Sequence, residues 1–170
     1  METINIKTSQ VVAAPLDKVW DIIADVDNDP KYYKGLNDIK NLSIEDNKIE
    51  REVTVGFLKH KAHQTIILNP KKSVTLTMTK GPIQGTRITT LDQVDDGSKT
   101  RIDILWNFRP SGVPEFVHDM VKSEISKGTK DALQKIANEL EQRKENEKGH
   151  ARKTEAAGHS ESSKEMRSHL

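Results

Sequence analysis

Glu124 is the candidate for acid–base chemistry in this chain, because it is a carboxylate set into an otherwise apolar helical stripe. It follows Val117 by two helical turns, about 20° around the axis, and so falls nearly in line with the inward positions. An acid or base working on a carbonyl compound also needs donors that polarise the oxygen. Arg51 and Arg87, both on strand-like runs, are the candidates. No spacing in the sequence brings the three together. A carboxylate snorkelling to solvent at the stripe edge, and surface ion pairs for the arginines, account for the same residues. Gly128 stands to Val121 as Glu124 stands to Val117. Glycine there costs about 1 kcal/mol of helix propensity relative to alanine. A ligand or a close strand that excludes a side chain explains that cost, and so does a plain bend.

Other chemistries find little support. His60 and His63 sit three apart on a strand-like run and point to opposite faces, a poor metal pair. His118 lies about 80° or more around the helix from the stripe and reads as a rim or surface residue. His150, His159 and His169 fall in the polar C-terminal stretch. The chain has no cysteine, so it offers no disulfide, thiolate metal site or cysteine nucleophile. A phosphate-cradling glycine loop and a serine elbow are both missing. The expectation is no metal and no cofactor.

The elements that must position these residues begin with a long helix. Over Pro114 to Gln142, Val113, Phe116, Val117, Met120, Val121, Ile125, Ala132, Leu133, Ile136, Ala137 and Leu140 recur three and four apart, the spacing of one helical face. Pro114 suits a first turn, and Glu115 and Asp119 match the positive end of the helix dipole. Before it, Thr3 to Val12 alternates as a strand. Leu16, Val19, Trp20 and Ile23 then form a short amphipathic helix begun by Pro15 and ended by Asp27-Asn28-Asp29-Pro30, with a further helical turn through Tyr32 and Tyr33. Six strand-like runs follow: Ile39 to Ile44, Ile49 to Val55, Lys61 to Leu68, Val74 to Thr79, Thr86 to Val94, and Thr100 to Phe108. Their connections are too short for helical crossovers, so the strands pair antiparallel. On the last run Ile102, Ile104, Trp106 and Phe108 share a face, so one side of the sheet is buried. Gly81-Pro82 and Gly85 mark a bend or rim between two strands. The fold class is α+β: a curved antiparallel sheet gripping a long C-terminal helix, with two short helices after the first strand.

Composition sets the boundaries. The 170 residues suffice for one domain with a real core, expected over residues 1–142. Residues 143–170 hold almost no large apolar side chain and are expected to form a disordered polar tail. A net charge of +1 makes no field that argues for nucleic acid. No apolar run approaches the ~20 residues of a membrane span, and no signal peptide is visible. Cytoplasmic residence without stable membrane insertion is the expectation.

The stretch VVAAPLDKVWDIIADVDNDPKYY resembles the opening of the SRPBCC, or START-like, superfamily, where a strand runs into a short helical pair. GTRITTLDQVDDGSKTRIDILWNF is similar to the paired late strands of its polyketide-cyclase-like and coenzyme-Q-binding members. The resemblance covers roughly Thr3 to Leu140. It implies a helix-grip fold around an apolar cavity for a lipid, quinone, polyketide or similar small molecule. The first functional expectation is therefore a non-catalytic binding or transport protein. Trp106, Phe108, Phe116, Val117, Met120, Glu124 and Gly128 are its expected lining. The alternative is a cyclase, aromatase or dehydratase with Glu124 as acid or base. A third reading is an interaction protein that reaches a partner through its tail, which the tail's near balance of charge does not favour.

Overall fold

Alternation with period two governs the runs Lys48–Val55, His60–Asn69, Ser73–Lys80, Ile83–Val94 and Lys99–Pro110, and the buried phase of each supplies the core. The computed structural model describes residues 3–56 and 60–168, with side chains to residue 150. Its strands are β1 (Ile4–Val12), β2 (Leu36–Glu45), β3 (Lys48–Val55), β4 (His60–Asn69), β5 (Ser73–Lys80), β6 (Ile83–Val94) and β7 (Lys99–Pro110). Among the described residues they form a single seven-stranded antiparallel sheet in the order β1-β7-β6-β5-β4-β3-β2. Helix α1 (Leu16–Ile23), a 3-10 turn (Val26–Asn28) and helix α2 (Asp29–Tyr32) carry the chain from one edge of the sheet to the other. A third 3-10 turn (Glu115–Val117), after one at Asp95–Gly97 between β6 and β7, then leads into α3 (His118–Ser168). This is the helix-grip arrangement: a curved sheet closed over one long helix.

The core lies between them. Val121, Ile125, Ala132, Leu133, Ile136 and Leu140 of α3 are buried against the inward faces of the strands, which supply Ile66, Leu76, Ile102, Ile104 and Phe108 among others. Val19, Ile22 and Ile23 of α1 and Tyr32 of α2 close one end. Lys31 of α2 reaches Glu139 of α3 at 2.9 Å, and Lys18 of α1 reaches Glu147 at 2.6 Å.

Two boundaries differ from expectation. The long helix starts at His118, because Pro114 is extended (φ −57°, ψ 144°) and the next three residues form a tighter 3-10 turn. It also continues past Gln142 to Ser168. The packed part has already overcome the nucleation cost, so each further Lys, Glu, Arg or Ala has only to propagate the helix. The polar stretch is thus an extension of α3.

Gly85 is likewise inside a strand, not in the loop before it. Its φ is +147°, and a Cβ there would lie 2.1 Å from the carbonyl oxygen of Asn107 and 2.6 Å from Cα of Phe108. Only glycine permits β6 to pass β7 this closely.

Candidate functional site

Polar residues at inward positions of the strands build the site. Arg51 takes the phase of Ile49 and Val53 on β3, Gln64 that of Ala62 and Ile66 on β4, and Arg87 that of Thr89 and Leu91 on β6. Each is thereby forced under the sheet, and Arg51 is 0% and Arg87 5% exposed. A guanidinium in such a place needs partners. Arg51 has three: its Nη2 donates to Asp29 Oδ2 at 2.8 Å, its Nη1 to the Val26 carbonyl at 2.8 Å, and its Nε to Gln64 Oε1 at 2.9 Å. Burial lowers the Arg51 pKa, and the adjacent Asp29 carboxylate opposes that shift. The Asp27-Asn28-Asp29-Pro30 helix stop therefore has a second purpose, since it delivers the buried carboxylate that neutralises Arg51.

Arg87 is differently placed. Its Nη2 lies 3.6 Å from Asp29 Oδ2, a carboxylate already engaged by Arg51. Its Nε is buried without an acceptor among the described residues. Its guanidinium carbon lies 4.1 Å from the centroid of the Tyr33 ring and 5.6 Å from that of Trp106. The aromatic faces compensate part of the burial cost through their quadrupoles. Burial raises the Tyr33 pKa, with Arg87 acting against it, so the hydroxyl keeps its proton at neutral pH. Trp106 is held by α3: its indole N–H donates to Thr129 Oγ1 at 2.9 Å, and that hydroxyl donates to the Ile125 carbonyl at 2.7 Å.

These residues surround a cavity of about 120 Å³. Leu36, Val55, Met78, Ile83, Trp106 and Ile125 supply its apolar walls, and Tyr33, Gln64, Arg87 and Thr129 its polar ones. Lys34 and Glu124 also line it, and both are exposed, which places them at the mouth. Gly128 faces the same space. A Cβ added there would meet nothing within 4 Å, so an open cavity and not a close strand adjoins this glycine. A larger hollow of about 340 Å³ lies between the start of α1 and α3, but Lys18, Asp21, Arg143, Lys144 and Glu147 surround it. Ala13, Ala14, Pro15 and Leu140 share its walls with these charged groups, and an ion pair spans it.

Of the lining residues expected from the sequence, Trp106, Glu124 and Gly128 are on the cavity. Phe108 is fully buried in the core beside Trp106, edge to face at 6.1 Å, and is not on the cavity wall. Val117 packs partly buried against the core. Phe116 is 87% and Met120 51% exposed, and both lie off the cavity. The cause is helical phase. The 3-10 turn ends the shared stripe before His118, and from there Val121 and Ile125 occupy the inward position, about 100° from Met120. His118 is part-buried, with Nε2 3.2 Å from the Val113 carbonyl. Asp29, Gln64, Tyr33 and Thr129 were not singled out as site residues. The readable signal was a polar side chain at the apolar phase of a strand, and it applied to Gln64 as much as to the two arginines.

Residues 3–141 match the family described as polyketide cyclase / dehydrase and lipid transport. The chain belongs to that family. Among curated proteins none matches it. Of solved structures, the Zhui aromatase/cyclase from Streptomyces sp. R1128 superposes with a TM-score of 0.73 at 14% identity, over 84% of this chain and 96% of that one. A START superfamily protein from Mycobacterium smegmatis gives 0.66 at 12% identity, over 81% and 97%. The di-domain aromatase/cyclase StfQ of the steffimycin biosynthetic pathway gives 0.69 at 10% identity, and the match spans 83% of this chain and 51% of that longer one. At these identities the likeness is one of fold. Among the described residues no helix of this family member is long and apolar enough to cross a membrane.

Proposed function

We propose that this family member binds a small, largely apolar molecule in the cavity between the sheet and α3, and that binding rather than turnover is its activity. The supporting observation is the cavity itself: a space of about 120 Å³ with mostly apolar walls and a few fixed polar groups at its inner end. Ligand sites have that composition. An apolar cavity of about 150 Å³ admits a benzene ring, so the space suits one ring or a short chain, and a longer ligand would extend past Lys34 and Glu124. The test is to extract gently purified protein with organic solvent and to titrate it with ring-sized hydrophobes. A ligand present at 100 times its Kd should add about 2.7 kcal/mol of stability. If no compound is recovered and no hydrophobe stabilises the fold, the reading is lost.

The family description keeps a cyclase or dehydratase in view as the second reading. Glu124 would be its acid or base. Against it, the carboxylate is exposed at the mouth and not enclosed with the apolar walls. Glu124→Gln is expected to leave ligand affinity within about twofold, well under 1 kcal/mol. A turnover assay that loses its rate in that variant would favour the enzyme.

A further inference from the structure

The inner end of the cavity is built from donors. Gln64 has its amide oxygen committed to Arg51, which leaves its N–H₂ as the uncommitted end. The Thr129 hydroxyl donates to Ile125 and accepts from Trp106, so both of its roles are occupied. Tyr33 keeps its proton. Among the described residues Arg87 has no hydrogen-bond acceptor on its Nε and only a shared carboxylate at 3.6 Å from Nη2. The charges follow the same pattern. Arg51 and Asp29 cancel, Arg87 is left over, and the exposed Lys34 and Glu124 at the mouth offset each other. A buried guanidinium with unused N–H groups is costly unless an acceptor meets it.

We infer that the ligand is a monoanion with a planar oxyanion, a carboxylate or its enolate or phenolate equivalent, carried on an apolar body of about one ring, and that Arg87 is the residue that selects it. The inference rests on the cavity-binding reading and adds the charge of the ligand to it. The guanidinium of Arg87, over the Tyr33 ring and near Trp106, presents its remaining N–H groups to the oxyanion, with the Gln64 amide as a further donor. The ring or short chain then lies along Met78, Ile83, Ile125 and the open side of Gly128. Arginine suits this role because its fork matches two carboxylate oxygens and stays charged at every accessible pH.

Matched pairs of acid and alcohol separate charge from shape. Benzoate and benzyl alcohol, 3-phenylpropanoate and 3-phenylpropanol, and hexanoate and hexanol are titrated calorimetrically at neutral pH into the wild type, Arg87→Met and Arg87→Lys. The wild type is expected to bind at least one acid about tenfold or more tightly than its alcohol, the effect of one charge-assisted hydrogen bond. Arg87→Met should lose the preference of acid over alcohol, while Arg87→Lys should keep part of it. Equal binding of acid and alcohol by the wild type, or a preference that survives in Arg87→Met, overturns the charge assignment and leaves the cavity reading standing. If no member of any pair binds, both are overturned. Should Arg87→Met fail to fold, the wild type and Arg87→Lys decide the matter.

Discussion

Arg51 and Arg87 are both arginines, both inward-facing and both almost fully buried, yet their surroundings set opposite energetic roles. Arg51 is satisfied three times within the fold, whereas Arg87 is left with aromatic faces and a distant, shared carboxylate. Removing Arg51 leaves Asp29 with only the more distant Arg87 and takes the donor from Gln64 Oε1 and the Val26 carbonyl, all under the sheet. Arg51→Met is therefore expected to destabilise the protein by about 3–5 kcal/mol. Removing Arg87 strands nothing, because Asp29 keeps Arg51. Arg87→Met is expected to be neutral or stabilising, by up to about 1–4 kcal/mol. Urea unfolding of the two variants checks this, and a large loss in Arg87→Met would make Arg87 a structural residue. Much of the difference was hidden in the sequence. The inward phase of both arginines can be read from alternation, but their partners cannot. Asp29 sits in a run that reads as a helix stop, and the side-chain pairing crosses from α2 to β3. Phe116 shows the opposite failure: its apolar spacing is genuine, and a three-residue 3-10 turn is enough to rotate it into solvent.

At the level of elements, Gly85 and Gly128 make opposite predictions. Gly85 allows β6 to pass close to β7, so Gly85→Ala should cost on the order of 1–3 kcal/mol through strain at a positive φ and a clash with the β7 backbone. Gly128→Ala adds a methyl group to open space in α3, and should gain about 0.8–1 kcal/mol in the ligand-free protein. The same methyl enters the cavity, so ligand affinity should fall as stability rises. Thermal unfolding with and without ligand separates the two effects. The contact of α2 with α3 makes a third prediction. Hydrogen bonds from Lys31 and then Arg143 hold Glu139 below its ordinary pKa of 4.5. A lowered carboxylate stabilises the fold fully above that ordinary value and stops doing so as the pH falls through the folded one. Glu139→Gln should therefore melt lower than the wild type at neutral pH, with the gap closing as acid protonates Glu139. Antiparallel pairing and the gripping helix were legible because period two and period 3.6 are strong signals that change over at residues whose φ is fixed. The Gly85 crossing was not, since a glycine before a strand and one inside it read alike.

For the molecule as a whole, α3 has two parts with different obligations. Up to Leu140 it carries the core, and beyond that residue its described links to the rest of the fold are polar, such as Lys18 to Glu147. A chain ending at residue 142 is expected to keep its cavity and melt within a few degrees of the full protein. One ending at residue 138 loses Leu140 and should be destabilised by about 2–5 kcal/mol. The two truncations can be compared by calorimetry together with ligand titration, and loss of ligand binding at residue 142 would give the polar extension a part in the site. The register of the sheet also carries a consequence for how the chain comes to be made. β1 leaves the ribosome first, yet its partner is β7, with Ile4 opposite Phe108 and Val12 opposite Thr100. Throughout synthesis of the intervening strands β1 waits as an open edge, and closure across so long a stretch of chain is slow. The roof over the hollow arrives later still, with α3, so no nascent chain can enclose the cavity before translation of the fold is complete.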